Sequence, residues 1–193
     1  MAEPTTRFRD IPLTTAAADI DTAAERLGSI SGESTVSTGA GNELDFSTVD
    51  ISGGAANSGV KMCLWDVTAD GGNTTVETFK LWLSSNGFDQ AGTVVKFQPL
   101  SGGDQGSPSL TENYVANATT SSYTWANMPE DDEPGTINVY PSDEGTSMAL
   151  STTSDDVVMW ASYVAVASGE TTGTFSGTTS GYEFQFSFKY SYS

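Results

Sequence analysis

The chain ends in YEFQFSFKYSYS, where Tyr182, Phe184, Phe186, Phe188, Tyr190 and Tyr192 alternate with Glu183, Gln185, Ser187, Lys189, Ser191 and Ser193. Successive side chains of a strand point to opposite faces, so this segment carries one aromatic face and one polar face. It reads as a half-buried antiparallel strand. Six rings burying roughly 150 Å² each contribute roughly 20 kcal/mol gross, before entropy is subtracted. Such a face must line a core between two sheets, or a subunit interface.

From Gly59 onward, strand signals recur at short intervals: VKMCLWDV, TVETFKLWLS, TVVKFQPL, SSYTWANM, TINVYPS, TSMALST, DVVMWASYVAVAS, TTGTFSG and the terminal segment. Turn chemistry separates them at Asp70-Gly71-Gly72-Asn73, Ser85-Asn86-Gly87, Ser101-Gly102-Gly103-Asp104, Pro129 to Gly135, Pro141 to Gly145 and Ser180-Gly181. About eight or nine short strands punctuated in this way predict an all-β domain over residues 59–193. The expected form is an antiparallel β-sandwich, jelly-roll or immunoglobulin-like. A chain of 193 residues can bury a real core as one domain with an arm.

Residues 1–58 read differently and predict an extended N-terminal arm. The Ala-rich stretch from about Thr15 to Leu27, with Thr14 or Thr15 as cap and Gly28 as stop, allows at most one short helix. The polar stretch after it is rich in Ser, Gly and Thr, and only LDFSTVDI hints at a strand. Such a leader has no reason to hold still alone, so the domain body or neighbouring subunits must tie it down. All three arginines lie in the first 26 residues with five of the 25 carboxylates, leaving 20 carboxylates against four lysines in the rest. Arginine suits bidentate carboxylate contacts at interfaces. Arg7, Phe8, Arg9, Ile11 and Arg26 are therefore the expected interface residues.

The net charge of −18 repels phosphate backbones and anionic headgroups, which argues against nucleic acid and membranes as partners. No stretch approaches the roughly 18 to 20 apolar residues of a membrane span. MAEPTTRFRDIPL lacks the apolar core of a secretion signal, which predicts synthesis in a cytosol. The Thr/Ser/Gly-rich, β-patterned composition nevertheless suits a protein that works outside cells. Virion proteins meet both conditions.

Histidine is absent, which excludes Ser-His-Asp and Cys-His catalysis and histidine-based zinc sites. A carboxylate pair of the glycosidase kind needs two groups roughly 5 to 10 Å apart, and no spacing marks one. The reading is therefore not an enzyme, with no catalytic residues and no cofactor. Oxygen ligands for calcium occur in two loops, Glu130-Asp131-Asp132-Glu133 and the group Asp66, Asp70, Asn73 and Glu77, without the regular spacing of a helix-loop-helix site. Cys63, the single cysteine, lies in an apolar run and reads as a buried packing thiol. Trp65, Trp82, Trp125 and Trp160 all fall in strand patterns, where tryptophan is more often core than a sugar-stacking platform. Trp125, with neighbouring Tyr123 beside the acidic loop, is the expected ligand-binding pair should one exist.

The segment VKMCLWDVTADGGNTTVETFKLWLSSNGFDQAGTVVKFQPLSG, about residues 59–103, resembles accessory virion proteins of tailed bacteriophages, in which paired KxWL-type strands precede Gly-rich loops. The resemblance implies a β-sandwich of the virion exterior, a head-decoration, cement or fibre-attachment subunit. The expected partners are its own copies or a capsid or tail structural protein, reached through the arm and the sandwich. The expected location is the virion, after assembly in host cytoplasm. A carbohydrate-binding or adhesin-like module is the alternative. A filament subunit whose arm completes the next subunit's sheet is a second.

Overall fold

The structure, a computed structural model, describes residues 5–20, 30–37, 44–68, 75–103, 113–136, 138–139, 147–149, 156–173 and 184–192. Ten strands are present among them: β1 Thr5–Ile11, β2 Ser34–Thr35, β3 Ala56–Asn57, β4 Lys61–Thr68, β5 Thr75–Asn86, β6 Val94–Gly103, β7 Ala126–Asn127, β8 Ser147–Ala149, β9 Asp156–Val166 and β10 Phe184–Tyr192. They form two antiparallel sheets. The larger has the order β2-β1-β4-β9-β6-β7, with β3 paired to β9, and the smaller has the order β10-β5-β8. The fold is all-β and sandwich-like, as the strand pattern predicts.

One core lies between the sheets. Cys63 and Trp65 of β4, Val95 and Phe97 of β6, and Val158, Trp160 and Val164 of β9 meet Phe79, Leu81 and Leu83 of β5. Part of the terminal aromatic file takes its place here; Tyr182 and the side chains of Phe184 and Tyr192 lie outside the described residues. Phe186 and Tyr190 pack against this cluster, and the Phe188 ring lies 5.9 Å from Phe79 and 6.2 Å from Trp65. Their polar alternates Gln185, Ser187 and Lys189 point away from the core.

The opposite face of the larger sheet is also covered. Met62 and Leu64 of β4, Met159, Ala161 and Tyr163 of β9 and Leu100 of β6 pack against Ile11, Ile20, Ile30, Tyr114 and Ala118. Burial on both faces explains why KMCLW and VVMWASYV run apolar without alternation, a pattern otherwise typical of parallel sheets. The cover is a layer of loops. Tyr114 donates its hydroxyl to the Thr15 carbonyl at 2.7 Å, and the Asn117 amide donates to the Leu13 carbonyl at 2.6 Å. These bonds satisfy backbone that helix or sheet would otherwise pair.

The sequence reading sets residues 1–58 apart as an arm tied down by the domain body or by neighbouring subunits. The described part of that leader is built into its own subunit. β1 pairs along its whole length with β4, from Thr5↔Thr68 to Ile11↔Met62, and β3 pairs with β9. Ile20 and Ile30 are 0% and 3% exposed in the second core. At Ala17–Asp19 the chain makes a single 3-10 turn in place of the start of a longer helix; residues 21–29 lie outside the described residues. LDFSTVDI is irregular and not a strand, because Asp45 and Asp50 accept hydrogen bonds from the amides two residues on, Ser47 and Ser52. Phe46 still reaches the core between the sheets. SSYTWANM yields only the two-residue β7; the first three residues of TTGTFSG are not in a strand, and the rest of it and most of TINVYPS lie outside the described residues.

Candidate functional site

Two expected interface residues are interior. Arg9 is 0% exposed, and its guanidinium meets Asp66 Oδ2 through Nε at 2.8 Å and Glu33 Oε2 through Nη1 at 2.8 Å. Arg7 adds a 2.8 Å contact to the other oxygen of Asp66. Antiparallel register creates this cluster, since Arg7 lies opposite Asp66 and Arg9 opposite Leu64, all on the face of the second core. Ile11 is 1% exposed, and Phe8 lies on the other face with its ring 5.2 Å from Trp160. Arg26 lies outside the described residues. The arginines thus neutralise a buried carboxylate of their own chain. The sequence reading assigns them to an interface because arginine suits bidentate carboxylate contacts, and the carboxylates it meets here belong to the same chain.

The same pairing bears on calcium. Asp66, one of the loop oxygens considered, is 1% exposed and committed to two arginines. Asp70 and Asn73 lie outside the described residues, as does the side chain of Glu77. Among the described residues no three carboxylates or thiols converge to hold a metal.

Tyr123 and Trp125 serve the loop layer. The Tyr123 hydroxyl accepts the Val115 amide at 2.9 Å, and Trp125 Nε1 donates to the Thr120 carbonyl at 2.8 Å. Trp125 sits edge-on between Tyr123 and Tyr163, at 5.3 and 4.8 Å. Burial pushes the Tyr114, Tyr123 and Tyr163 phenols up from their ordinary range. With their polar tips engaged, Tyr123 and Trp125 pin the loop layer onto the sheet.

Cys63 is the buried thiol its apolar run predicts, with Sγ 3.9 Å from Ser162 Oγ. Burial, and after it the charge of Asp10, pushes its pKa far up, so thiolate is scarce at any ordinary pH. A thiol reagent in mildly alkaline buffer is expected to leave the native protein unmodified and to react quickly in denaturant. The native rate should be lower by at least about a thousandfold, set by the unfolded fraction. Fast native modification would show that β4 is not sealed.

The outward face of the smaller sheet holds a group that the sequence reading did not bring together. In TFKLWLS, Phe79, Leu81 and Leu83 are each 0% exposed, so Lys80, Trp82 and Ser84 take the opposite face. β10 places Lys189 directly opposite Lys80 and Ser187 opposite Trp82. Along the far side of β5 runs the acidic segment Glu130-Asp131-Asp132-Glu133. Leu83 donates its amide to the Pro129 carbonyl and accepts the Asp131 amide, both at 2.9 Å, while the Asn138 side chain clamps both backbone groups of Leu81. That path brings Glu133 between the lysines, at 2.8 Å from each ammonium. Hydrogen bonds from Lys189 and then Lys80 hold the Glu133 carboxyl below its usual range. The strand parity that turns Trp82 outward was readable in the sequence; the register that joins Lys80 to Lys189 was not.

With this geometry in view, no protein-family model matches the chain and no curated protein matches it.

Proposed function

We propose that the chain is a non-enzymatic structural subunit of a virion, of the head-decoration or cement type, which associates with its own copies or with a capsid or tail lattice. The likeness of residues 59–103 to accessory proteins of tailed bacteriophages supports this reading, together with the strongly acidic charge. One observation carries it. Phe188 is 40% exposed on β10, the strand at the margin of the smaller sheet, where its ring continues the aromatic core out to solvent. A large ring left there suits a surface that another protein covers.

In this reading the assembly contact lies on the sandwich body, because β1 is already committed to its own sheet. The same fact weighs against a filament in which β1 is the strand donated to the next subunit. Sedimentation of the purified chain over a wide concentration range tests the proposal. The wild type is expected to self-associate or to bind purified particles, and Phe188→Ser to weaken that association by about 2 kcal/mol or more. A wild type that stays monomeric at every concentration and ignores particles would sink it, as would a Phe188→Ser variant that assembles as the wild type does.

A further inference from the structure

We propose that the outward face of β5 and β10 is a binding site for a saccharide carrying a single carboxylate, with Trp82 as stacking platform and Lys80 and Lys189 as the carboxylate partners. This does not rest on the assembly reading, and it moves the sugar-binding alternative away from Trp125. Trp82 is only partly exposed but faces solvent from a sheet surface whose other described side chains, Lys80, Ser84, Gln185, Ser187 and Lys189, are polar. Unlike Trp65, Trp125 and Trp160, it has no ring partner among the described residues. A pyranose ring presents an apolar face of C–H bonds that packs on an indole, while its hydroxyls need donors and acceptors at the rim. Ser84, Ser187 and Gln185 supply that rim, with Ser187 Oγ 2.7 Å from Ser84 Oγ.

Charge specifies the class of sugar. Two of the four lysines of a chain with net charge −18 stand directly opposite each other across one strand pair. Like charges placed so are unfavourable unless an anion sits between them. Glu133 is that anion in the structure, seated at the rim of a shallow depression with Lys80, Thr136, Lys189 and Ser191. Its hold through Lys189 is weak, since that side chain is 62% exposed and Glu133 34%, and solvated pairs of this kind contribute little; the Lys80 side chain is 19% exposed. A ligand carboxylate can therefore replace Glu133 between the ammonium groups at small cost. Trp82 lies one step along the same face of β5 from Lys80, roughly 7 Å away, about the span of one sugar ring. A single carboxylate fits better than a polyanion, because the overall negative field repels long anionic chains while a local pair is felt within the Debye length of about 8 Å.

Calorimetric titration of the full chain with sialyllactose, a glucuronic-acid-capped disaccharide and neutral lactose tests the site. At least one acidic sugar is expected to bind more tightly than lactose. Trp82→Ala should weaken binding about tenfold, and Lys189→Gln should remove about three- to fivefold of the acidic preference without changing lactose binding. Glu133→Gln, which frees both lysines, should tighten acidic-sugar binding by about threefold; a purely structural role for Glu133 predicts no gain. Trp125→Ala, read by circular dichroism for folding, should bind as the wild type does. The proposal is overturned if neither acidic sugar binds, if lactose binds equally well, or if folded Lys189→Gln and Glu133→Gln proteins bind as the wild type does.

Discussion

A chain lacking residues 1–11 is expected to lose its cooperative fold, not to survive as a trimmed monomer. The deletion strips β1 from β4 and leaves an unpaired edge in the larger sheet. It removes Ile11, 1% exposed, from the second core, and Phe8 from its place against Trp160. Truncations of such buried side chains cost about 2–5 kcal/mol each. The deletion also removes both arginines from Asp66, and an uncompensated buried charge costs about 3–5 kcal/mol. Against a typical domain stability of about 5–15 kcal/mol, little is left. Far-UV circular dichroism and denaturant titration should show a broad, low-amplitude transition, and size exclusion should show aggregated protein. A deletion variant that unfolds at the wild-type midpoint would restore the view of these residues as an arm.

The second large effect is expected from a single side chain. Asp66→Ala takes from Arg9, fully buried on the face of the second core, the carboxylate at its Nε and leaves Glu33 at Nη1. The expected loss is about 3–5 kcal/mol, read as a shift of the urea midpoint at unchanged slope. Replacing both partners tests the cause. A double variant, Arg9→Met with Asp66→Leu, should recover most of the loss, since apolar residues of similar volume tolerate burial where an orphaned charge does not. Lys61→Gln offers a contrast, because its partner Asp10 keeps access to water. Side-chain exposures of 25% and 19% in that pair put the expected cost below about 1 kcal/mol. Equal losses for Asp66→Ala and Lys61→Gln would show that the Arg9 cluster is wetter than its geometry implies.

The two predictions mark where the sequence is readable. The strands β4, β5, β6, β9 and β10 stand out because runs of valine, tryptophan, phenylalanine and tyrosine between Gly- and Asn-rich turns have few other stable conformations. The aromatic file at the end of the chain predicts its own burial, and the parity of TFKLWLS already turns Trp82 away from Phe79, Leu81 and Leu83. β1 is harder to see. TTRFRDI carries two arginines and an aspartate in seven residues, a composition of surfaces, and only a carboxylate at a matching position on a strand more than 50 residues later makes it interior. Likewise PEDDEP has the composition of a solvated loop, yet it lies along β5 because Leu83 offers backbone groups there.

Local pattern alone determined that this chain is all-β, that its apolar runs are strands and that its last strand buries aromatic rings, because alternation and turn preference act between near neighbours in sequence. Only the tertiary structure decided that the polar leader belongs to the larger sheet, that Arg9 faces Asp66, and that Lys80, Lys189 and Glu133 share one surface beside Trp82. Those outcomes depend on strand order and register, which are set by the joint packing of distant segments over two cores. A charge becomes interior or exposed according to what that packing places opposite it.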